Sequence, residues 1–292
     1  GFVNRYLKDM MVFLQIIKWK TSRLIKMTKL KYFYSFILLI AGLLISCSNT
    51  DETTLINEEN GNPTEVDTSQ NKKPTGTSAN DLLAENTFTK IIVEIVYIAG
   101  FKPTTTTINS FKSFLQNRLH KSGGIQILQR EIPSPGMSPY SVNDIIALET
   151  THRTKYNNNN EIAVFAFFLN AEYAGNSDNS SVLGIAYRNT SFVIFEETIR
   201  DYSSGVLAPD LSVLETTVIN HEFGHILGLV NTGSTPQSDH QDTAHGKHCN
   251  VENCLMYWTA ETGEGIINMI SGGTVPSLDS GCLADLQANG GK

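Results

Sequence analysis

Three residues on one short stretch of the chain have the types and spacing of a metal-dependent hydrolase site. His221 and His225 are four positions apart, and Glu222 directly follows the first histidine. A helix turns once every 3.6 residues, so the two imidazoles lie on one face and can share one Zn²⁺. Glu222 then lies beside the metal, where a general base is needed for a zinc-bound water. The pattern predicts zinc-dependent hydrolysis.

The residues around this motif predict the helix that positions it. Apolar side chains recur at helical spacing between Leu211 and Leu227, and no proline follows Pro209 to break the helix. Gly228, three residues after the second histidine, suits a turn that leaves the helix. A buried helix can also carry histidines as ordinary core residues, and the motif alone leaves that alternative open.

The motif and a methionine downstream resemble the metzincin clan of zinc endopeptidases. The resemblance rests on the run His221–Gly228, which reads His-Glu-x-x-His-x-x-Gly, and on Met256. In that clan a third zinc ligand follows the glycine by three residues, and this position is Asn231 here. Asparagine is a poor zinc ligand beside imidazole, so we expect the third ligand elsewhere.

Three histidines after the helix are candidates for that ligand: His240, His245 and His248. The segment His248–Met256 reads His-Cys-x4-Cys-x-Met, which is similar in spacing and residue types to archaemetzincins. The resemblance implies that His248 is the third ligand, displaced by an insertion over residues 231–247. His245 and His240 remain the alternatives.

The same resemblance implies roles for two residues near the metal. Met256 is expected to form the Met-turn, a hydrophobic floor beneath the ion. Tyr257 directly follows it, and a tyrosine near the Met-turn supports the oxyanion in some metzincins. Ordinary packing is the alternative role for Tyr257.

Three cysteines lie in the C-terminal part of the chain: Cys249, Cys254 and Cys282. Archaemetzincins hold a second, structural zinc with four cysteines, and a late Cys-x-x-Cys pair is missing here. The three thiols could still bind zinc with His240 or His245 as the fourth ligand. In an exported protein one disulfide is the simpler arrangement, and we favour it while leaving the pair open.

The N-terminal part predicts export. Lysines and arginines are concentrated before the apolar run Tyr32–Ile45, and a small residue and Cys47 follow it. This is the pattern of a secretory signal peptide, and the run is short for a transmembrane helix. The ending Leu44–Cys47 resembles a bacterial lipobox, which implies lipidation of Cys47 and anchoring at the outer membrane or cell surface. An ordinary cleaved signal peptide is the alternative.

Composition divides the chain into three parts. Residues 1–47 are an upstream segment and signal peptide, and residues 48–86 are so polar that we expect a disordered tether. Residues 87–292 are expected to form one metzincin-like catalytic domain. The net charge of −7 does not favour a nucleic-acid partner.

Hydrophobic patterns in this domain predict an α/β (α+β) fold with a twisted mixed sheet above an active-site helix. The metzincin resemblance adds a zincin fold with an irregular C-terminal subdomain that contains the Met-turn. Strands are predicted at Ile91–Ile98, Ile125–Ile132, Ile162–Leu169, Val182–Tyr187 and Phe192–Thr198. Helices are predicted at Thr106–His120, Ser141–Tyr156, Leu211–Leu227 and Ser277–Ala288.

These observations predict a zinc-dependent endopeptidase that acts on proteins or peptides, with one catalytic Zn²⁺. The alternative is an inactive surface lipoprotein, stabilised by zinc, that binds peptides, glycans or a protein partner. Glu222 favours the enzyme, because a purely structural metal site needs no base beside the ion. A second, structural ion is the alternative to the disulfide.

Overall fold

The computed structural model describes residues 67–177 and 180–292. The signal segment, Cys47 and residues 48–66 of the expected tether lie outside the described residues. Export, lipidation and a tether over that stretch therefore stay predictions. In the part that is described, no helix combines the length and the apolar character needed to cross a bilayer.

A five-stranded mixed sheet forms the centre of the domain. Its strands are β1 (Lys90–Ile98), β2 (Gly124–Ile132), β3 (Glu161–Phe168), β4 (Gly184–Arg188) and β5 (Ser191–Ile194). Across the sheet the order is β2-β1-β3-β5-β4, and β4 runs antiparallel to β5 whereas the other neighbours are parallel. Both faces of β3 are buried, which explains its nearly continuous apolar sequence. The prediction of a mixed α/β fold is confirmed.

Helices cover both faces of this sheet. Helix α2 packs against helix α5 on one face, where the rings of Phe111 and Phe223 meet edge to face with their centroids 5.3 Å apart. Helix α3 covers the other face through the buried side chain of Ile145. The helices of the described residues are α1 (Ala79–Leu83), α2 (Thr105–Arg118), α3 (Val142–His152), α4 (Glu196–Tyr202), α5 (Leu211–Ile226), α6 (Gly263–Met269) and α7 (Ser280–Ala288).

Helix α5 carries the His-Glu-x-x-His motif, and it is buried along most of its length. Asp210 caps its first turn by accepting hydrogen bonds from the backbone N–H groups of Ser212 (2.8 Å) and Val213 (3.3 Å). Its other end closes at Gly228, where a φ of +77° and close contact with the Ser234 backbone exclude a side chain. With both ends fixed, the helix is a rigid frame for the motif.

The structure corrects the prediction that the tether extends to residue 86. Residues 67–86 contain a 3₁₀ turn at Ser69–Asn71 and helix α1, and they pack on the rest of the domain. The Asn71 amide is buried and donates to the Ala163 carbonyl oxygen (3.1 Å) and to Thr190 Oγ1 (3.1 Å). Composition suggests disorder here because many of these contacts are made by polar rather than apolar side chains.

The boundaries of several elements also differ from the predictions. The strand predicted over Phe192–Thr198 ends with β5, and α4 follows it. Glu196 and Arg200, one turn apart in α4, form an ion pair (2.6 Å) that favours the helix. Helix α3 is shorter than the one predicted over Ser141–Tyr156. Helix α6 has no helical signal in the sequence because its first turn contains two glycines.

Glu196 is a buried carboxyl group at the packing interface of α4. Its side chain is 0% exposed and contacts both Arg200 and Glu215. Burial first, and then the Glu215 carboxylate, raises the pKa of Glu196 from 4.5 to about 9 despite the ion pair with Arg200. At neutral pH the folded protein therefore binds this proton more tightly than the unfolded chain does.

We expect the Glu196 contribution to the free energy of unfolding to fall as the pH rises from 4.5 to about 9. The sign follows because the folded state binds more protons than the unfolded state in this window. Glu196→Gln keeps a neutral side chain of similar shape and should weaken the pH dependence. Urea unfolding at several pH values measures it, with Glu264→Gln on the exposed side of α6 as the control. An unchanged pH dependence in E196Q would contradict the assignment.

Candidate metal centre

Three histidines and one glutamate direct their side chains to a common position. They are His221 and His225 on α5, His248 on the loop that follows, and Glu261 at the end of the 3₁₀ turn Trp258–Glu261. One donor atom from each residue lies within 4.8 Å of the other three. The Nε2 atoms of His221 and His225 are 3.1 Å apart, close to the spacing of two ligands on one metal ion.

Backbone hydrogen bonds orient two of the rings. His221 Nδ1 lies 2.7 Å from the Leu255 carbonyl oxygen, and His248 Nδ1 lies 2.7 Å from the His245 carbonyl oxygen. A carbonyl oxygen only accepts, so in both rings Nδ1 carries the hydrogen and Nε2 presents a lone pair. Partners of this kind orient metal-binding histidines and fix their tautomer. Both Nε2 atoms are therefore ready to bind a cation.

Burial and mutual proximity set the charges of these groups. Burial, followed by the repulsion from His221, lowers the pKa of His225 well below its usual value, so this ring is neutral. Burial alone would raise the pKa of Glu261, but the nearby rings of His221 and His248 lower it overall, so this carboxyl group is ionised. Burial would lower the pKa of His248, but Glu261 raises it overall. Imidazole nitrogens with one carboxylate form a donor set that suits Zn²⁺.

Glu222 is fully buried and lines the same cavity as these groups. Burial first, and then the charge of Glu261, raises its pKa well above the usual value. Neither carboxylate oxygen makes a hydrogen bond with any of the described residues. Gly184 packs so closely on this carboxylate that a Cβ at that position would overlap it. Packing thus orients Glu222 and leaves its oxygens available for proton transfer.

A cavity of about 400 Å³ opens onto the centre. Its walls include three consecutive residues of β4, which is the terminal strand of the sheet. The outer edge of such a strand can pair with an extended peptide. The cavity is lined by Thr75, Tyr173, Val182, Gly184, Ile185, Ala186, Glu222, His225, His245, Lys247, His248 and Glu261.

The structure separates the histidines that the sequence leaves as candidates for the third ligand. His248 is buried and joins the two helix histidines. His245 stacks instead on Trp258, with ring centroids 4.3 Å apart, and its Nδ1 is paired with a carboxylate. His240 belongs to another cluster, and Asn231 is exposed at a φ of +59°. The structure thus places His248 beside His221 and His225. His248 is also the histidine that the archaemetzincin resemblance implies as the third ligand.

Met256 lies against the active-site helix. Its side chain is buried, and a Cβ on Gly224 would overlap its sulfur. Its carbonyl oxygen accepts a hydrogen bond from the Cys249 N–H (2.8 Å), which connects it to the segment that carries His248. Tyr257 is absent from the lining that the described residues give the cavity, whereas Tyr173 is part of it. This position gives no support to a role for Tyr257 at an oxyanion.

A second group of donor atoms contains the three cysteines. His240 Nδ1 lies 3.5 Å from Cys249 Sγ and 3.8 Å from Cys282 Sγ, and the Sγ atoms of Cys254 and Cys282 are 3.6 Å apart. Tetrahedral zinc with Zn–S bonds of about 2.3 Å separates such ligand atoms by roughly 3.5–3.8 Å. The spacing of this group fits a zinc ion.

The cysteines of the described chain are not oxidised. Cys249, Cys254 and Cys282 are buried free thiols, so the expectation of a disulfide is wrong for this structure. Hydrogen bonds from the Cys254 thiol and then the Cys282 thiol lower the pKa of Cys249 well below its usual value. A buried thiolate surrounded by two thiols and an imidazole is a ligand set for a soft metal ion.

Two aspartates complete this second group. Asp285 Oδ2 lies 2.8 Å from His240 Nε2, so it orients the ring with Nδ1 toward the thiols. Asp279 also reaches the group, but its Oδ1 accepts the Cys282 N–H (2.9 Å) as the cap of α7. The donor atoms that lie within 4.8 Å of one another belong to His240, Cys249, Asp279 and Cys282, and Cys254 Sγ lies beside them, 3.6 Å from Cys282 Sγ.

Glu261 is the residue of the site that sequence reasoning missed. It lies five positions after Met256, and no spacing relates it to the helix motif. Gly184 lines the site because β4 passes beside it, and Tyr173 lines it because it lies in the loop before β4. A carboxylate shortly after the Met-turn is the one signal that could have indicated Glu261.

Comparisons with known proteins add a distant likeness among solved structures. The chain matches no known protein family, and no curated protein matches its sequence. Among solved structures it is similar to archaemetzincin from Methanopyrus kandleri, with 16% sequence identity and a TM-score of 0.45. The match covers 69% of this chain and 96% of that chain. The candidate site therefore rests on its own geometry.

Gly224→Ala should destabilise the protein by about 1–3 kcal/mol, because the added methyl group overlaps the Met256 sulfur. Urea unfolding measures the loss. Gly272→Ala is the matched control, since an added Cβ at this exposed position meets nothing within 4 Å. Equal free energies of unfolding for the two variants would contradict the packing of Met256 under α5.

Proposed function

We propose that this protein is a zinc-dependent peptidase that cleaves within polypeptide chains. The proposal is carried by the convergence of His221, His225 and His248 beside the buried carboxylate of Glu222, at a cavity bordered by a terminal strand. Histidine nitrogens at this spacing are suitable zinc ligands. These three side chains would hold the ion.

Zinc, when bound, supplies a Lewis acid that polarises a carbonyl group and makes water more acidic. Glu222 takes the proton of the attacking water and passes it to the leaving amine. It suits this role because it lines the cavity beside His225 and His248 with both oxygens unengaged by the described residues. Gly184 keeps the carboxylate oriented, so this transfer needs little rearrangement.

The cavity supports a polypeptide as the substrate class. Gly184, Ile185 and Ala186 line it, and they belong to the terminal strand of the sheet. An extended peptide placed beside this strand would gain backbone hydrogen bonds that do not depend on its sequence. Its scissile carbonyl would then pass close to Glu222.

We assign the second donor group a structural ion. Cys249, Cys254, Cys282 and His240 are four protein ligands, and a closed site of this kind stabilises the fold rather than binding substrate. The group links the loop after α5 to α7. Only the 3₁₀ turn Trp258–Glu261 and helix α6 lie between these two segments in the described chain.

One observation favours the alternative of an inactive, zinc-stabilised binding protein. Glu261 joins the three histidines, so the first centre also offers four protein donors. A fully closed centre would have no position for a reacting oxygen. The Glu222 carboxylate makes no hydrogen bond with the described residues, which favours a catalytic role. The variants described next distinguish a peptidase from a binding protein.

Glu222→Gln should bind zinc as the wild type does but lose at least about 100-fold in kcat/KM on casein-derived peptides, because amide nitrogen and oxygen cannot accept the water proton. Glu264→Gln, at an exposed position, is the control. Metal analysis and a fluorogenic peptide assay give the two readouts. Zinc-dependent hydrolysis that survives in E222Q would exclude this mechanism. If the wild type hydrolyses no member of a broad peptide library, the binding protein is favoured.

A second prediction separates the two metal centres. His248→Ala should lose the catalytic ion and hydrolysis, whereas Cys282→Ser should lose the structural ion and lower the melting temperature. His120→Ala is the control for both, because this exposed histidine belongs to neither ligand group and does not line the cavity. Zinc per chain, melting temperature and peptidase activity are measured for each variant. Two ions retained in C282S would remove the structural site.

A further inference from the structure

One donor atom from each of four residues of the first centre lies within 4.8 Å of the other three. The Nε2 atoms of His221 and His225 are 3.1 Å apart, and Glu261 Oε2 lies 3.7 Å and 3.9 Å from them. Glu261 Oε1 lies 3.4 Å from His248 Nε2. Ligand atoms of tetrahedral zinc with bonds of about 2.0–2.1 Å are separated by roughly 3.3 Å. The Glu261 carboxylate thus occupies the region of a fourth ligand.

We propose that Glu261 is the fourth metal ligand of the resting protein, and that its carboxylate swings out of the centre to admit substrate. The proposal rests on the peptidase function above and adds a resting state to it. A catalytic zinc keeps one position for the reacting molecule, and here the side chain of Glu261 and the substrate compete for it.

The backbone around Glu261 is anchored. Its carbonyl oxygen accepts a hydrogen bond from the Leu183 N–H (2.9 Å), and the Gly263 N–H donates to the Ser181 carbonyl oxygen (2.9 Å). These two bonds hold the 3₁₀ turn against the segment that leads into β4. Release of the carboxylate is therefore a rotation of the side chain rather than a movement of the turn.

The side chain has space for this rotation. Glu261 is 28% exposed and lines the cavity, whereas His221 is fully buried and His225 and His248 are nearly so. The carboxylate can leave toward the cavity, where water solvates it. The histidines have no comparable path, so the centre opens at Glu261 while the other three donors stay in place.

Charge explains why the closed form is stable. The Glu261 carboxylate lies within 4.8 Å of the three histidine donor atoms, so it is placed to offset part of the charge of a divalent ion held there. A buried cation with a carboxylate beside it is less costly than an unpaired one. An incoming oxygen ligand must compete with this arrangement, which lowers the apparent affinity of the centre for small anions.

The cobalt-substituted full chain tests the proposal, with azide as the probe of the fourth position. Azide binding is followed by the visible absorption of Co²⁺ in the wild type, Glu261→Gln and the control Glu264→Gln. If Glu261 is bound in 90–99% of the molecules, Glu261→Gln binds azide roughly 10- to 100-fold more tightly than the wild type. Difference spectra between the proteins cancel the bands of the cysteine site, which they share.

Glu261→Asp separates ligation from charge. It keeps the carboxylate, but the anchored backbone and the shorter side chain withdraw it from the ion, so it should bind azide like Glu261→Gln. The kcat/KM for peptides should rise with azide affinity in both variants. Equal azide affinity in wild type and E261Q would overturn the proposal, and so would loss of cobalt from the histidine centre in both variants.

The test also separates this proposal from the peptidase function. Tighter azide binding in E261Q and E261D, with no peptide hydrolysis by any of the proteins, would support Glu261 as the releasable ligand and remove the peptidase. Hydrolysis by the wild type with unchanged azide affinity in both variants would keep the peptidase and overturn the role of Glu261.

Discussion

His248 and Cys249 are adjacent in sequence but belong to different groups of donor atoms, and the geometry of both groups depends on this arrangement. The same division occurs further along the loop, where the Leu255 carbonyl oxygen orients His221 while the Cys254 thiol joins the cysteine group. Ordering an irregular segment costs about 1–2 kcal/mol of backbone entropy per residue. The structural ion that we propose for the cysteine group would offset this cost at the point where His248 must be held.

Helix α5 supplies the other half of the first centre without this cost. Its two histidines are placed by helical geometry, and its caps at Asp210 and Gly228 fix both ends. Met256 joins the halves, because its sulfur packs on Gly224 while its carbonyl oxygen holds Cys249. A rigid pair of histidines on α5 therefore meets a third histidine whose position depends on the folding of a loop. Metal binding and loop folding are coupled in such an arrangement.

Much of the fold was predictable because its signals are local. The buried strands β1 and β3 read as continuous β-branched and aromatic runs, and the motif helix follows from apolar spacing. The order of these elements then determined a mixed sheet. Residues 67–84 escaped prediction because a polar side chain, Asn71, fills the core position through hydrogen bonds. Helix α4 was missed because the prediction relied on hydrophobic periodicity, whereas this helix is favoured by an ion pair.

The candidate site shows the same limit. His221, Glu222 and His225 form a motif because one helical turn relates them, whereas their relation to His248 is visible only by resemblance to a family. Whether the cysteines form a disulfide or bind a metal depends on the distances between their sulfur atoms in the fold. The number and sequence spacing of the cysteines do not give these distances. Glu261 reaches the centre through the contact of its turn with the segment before β4.

Two carboxylates line one cavity, and their surroundings give them different tasks. Glu222 lies on a buried helix and packs against Gly184, so its side chain stays in place. A fixed carboxylate of this kind is suited to proton transfer. Glu261 is ionised, partly exposed and attached to a turn with a fixed backbone, which is why we propose that its side chain binds the metal and leaves it. A centre with four protein donors can therefore still be catalytic, because the donor that closes it is also the one with a path into the cavity.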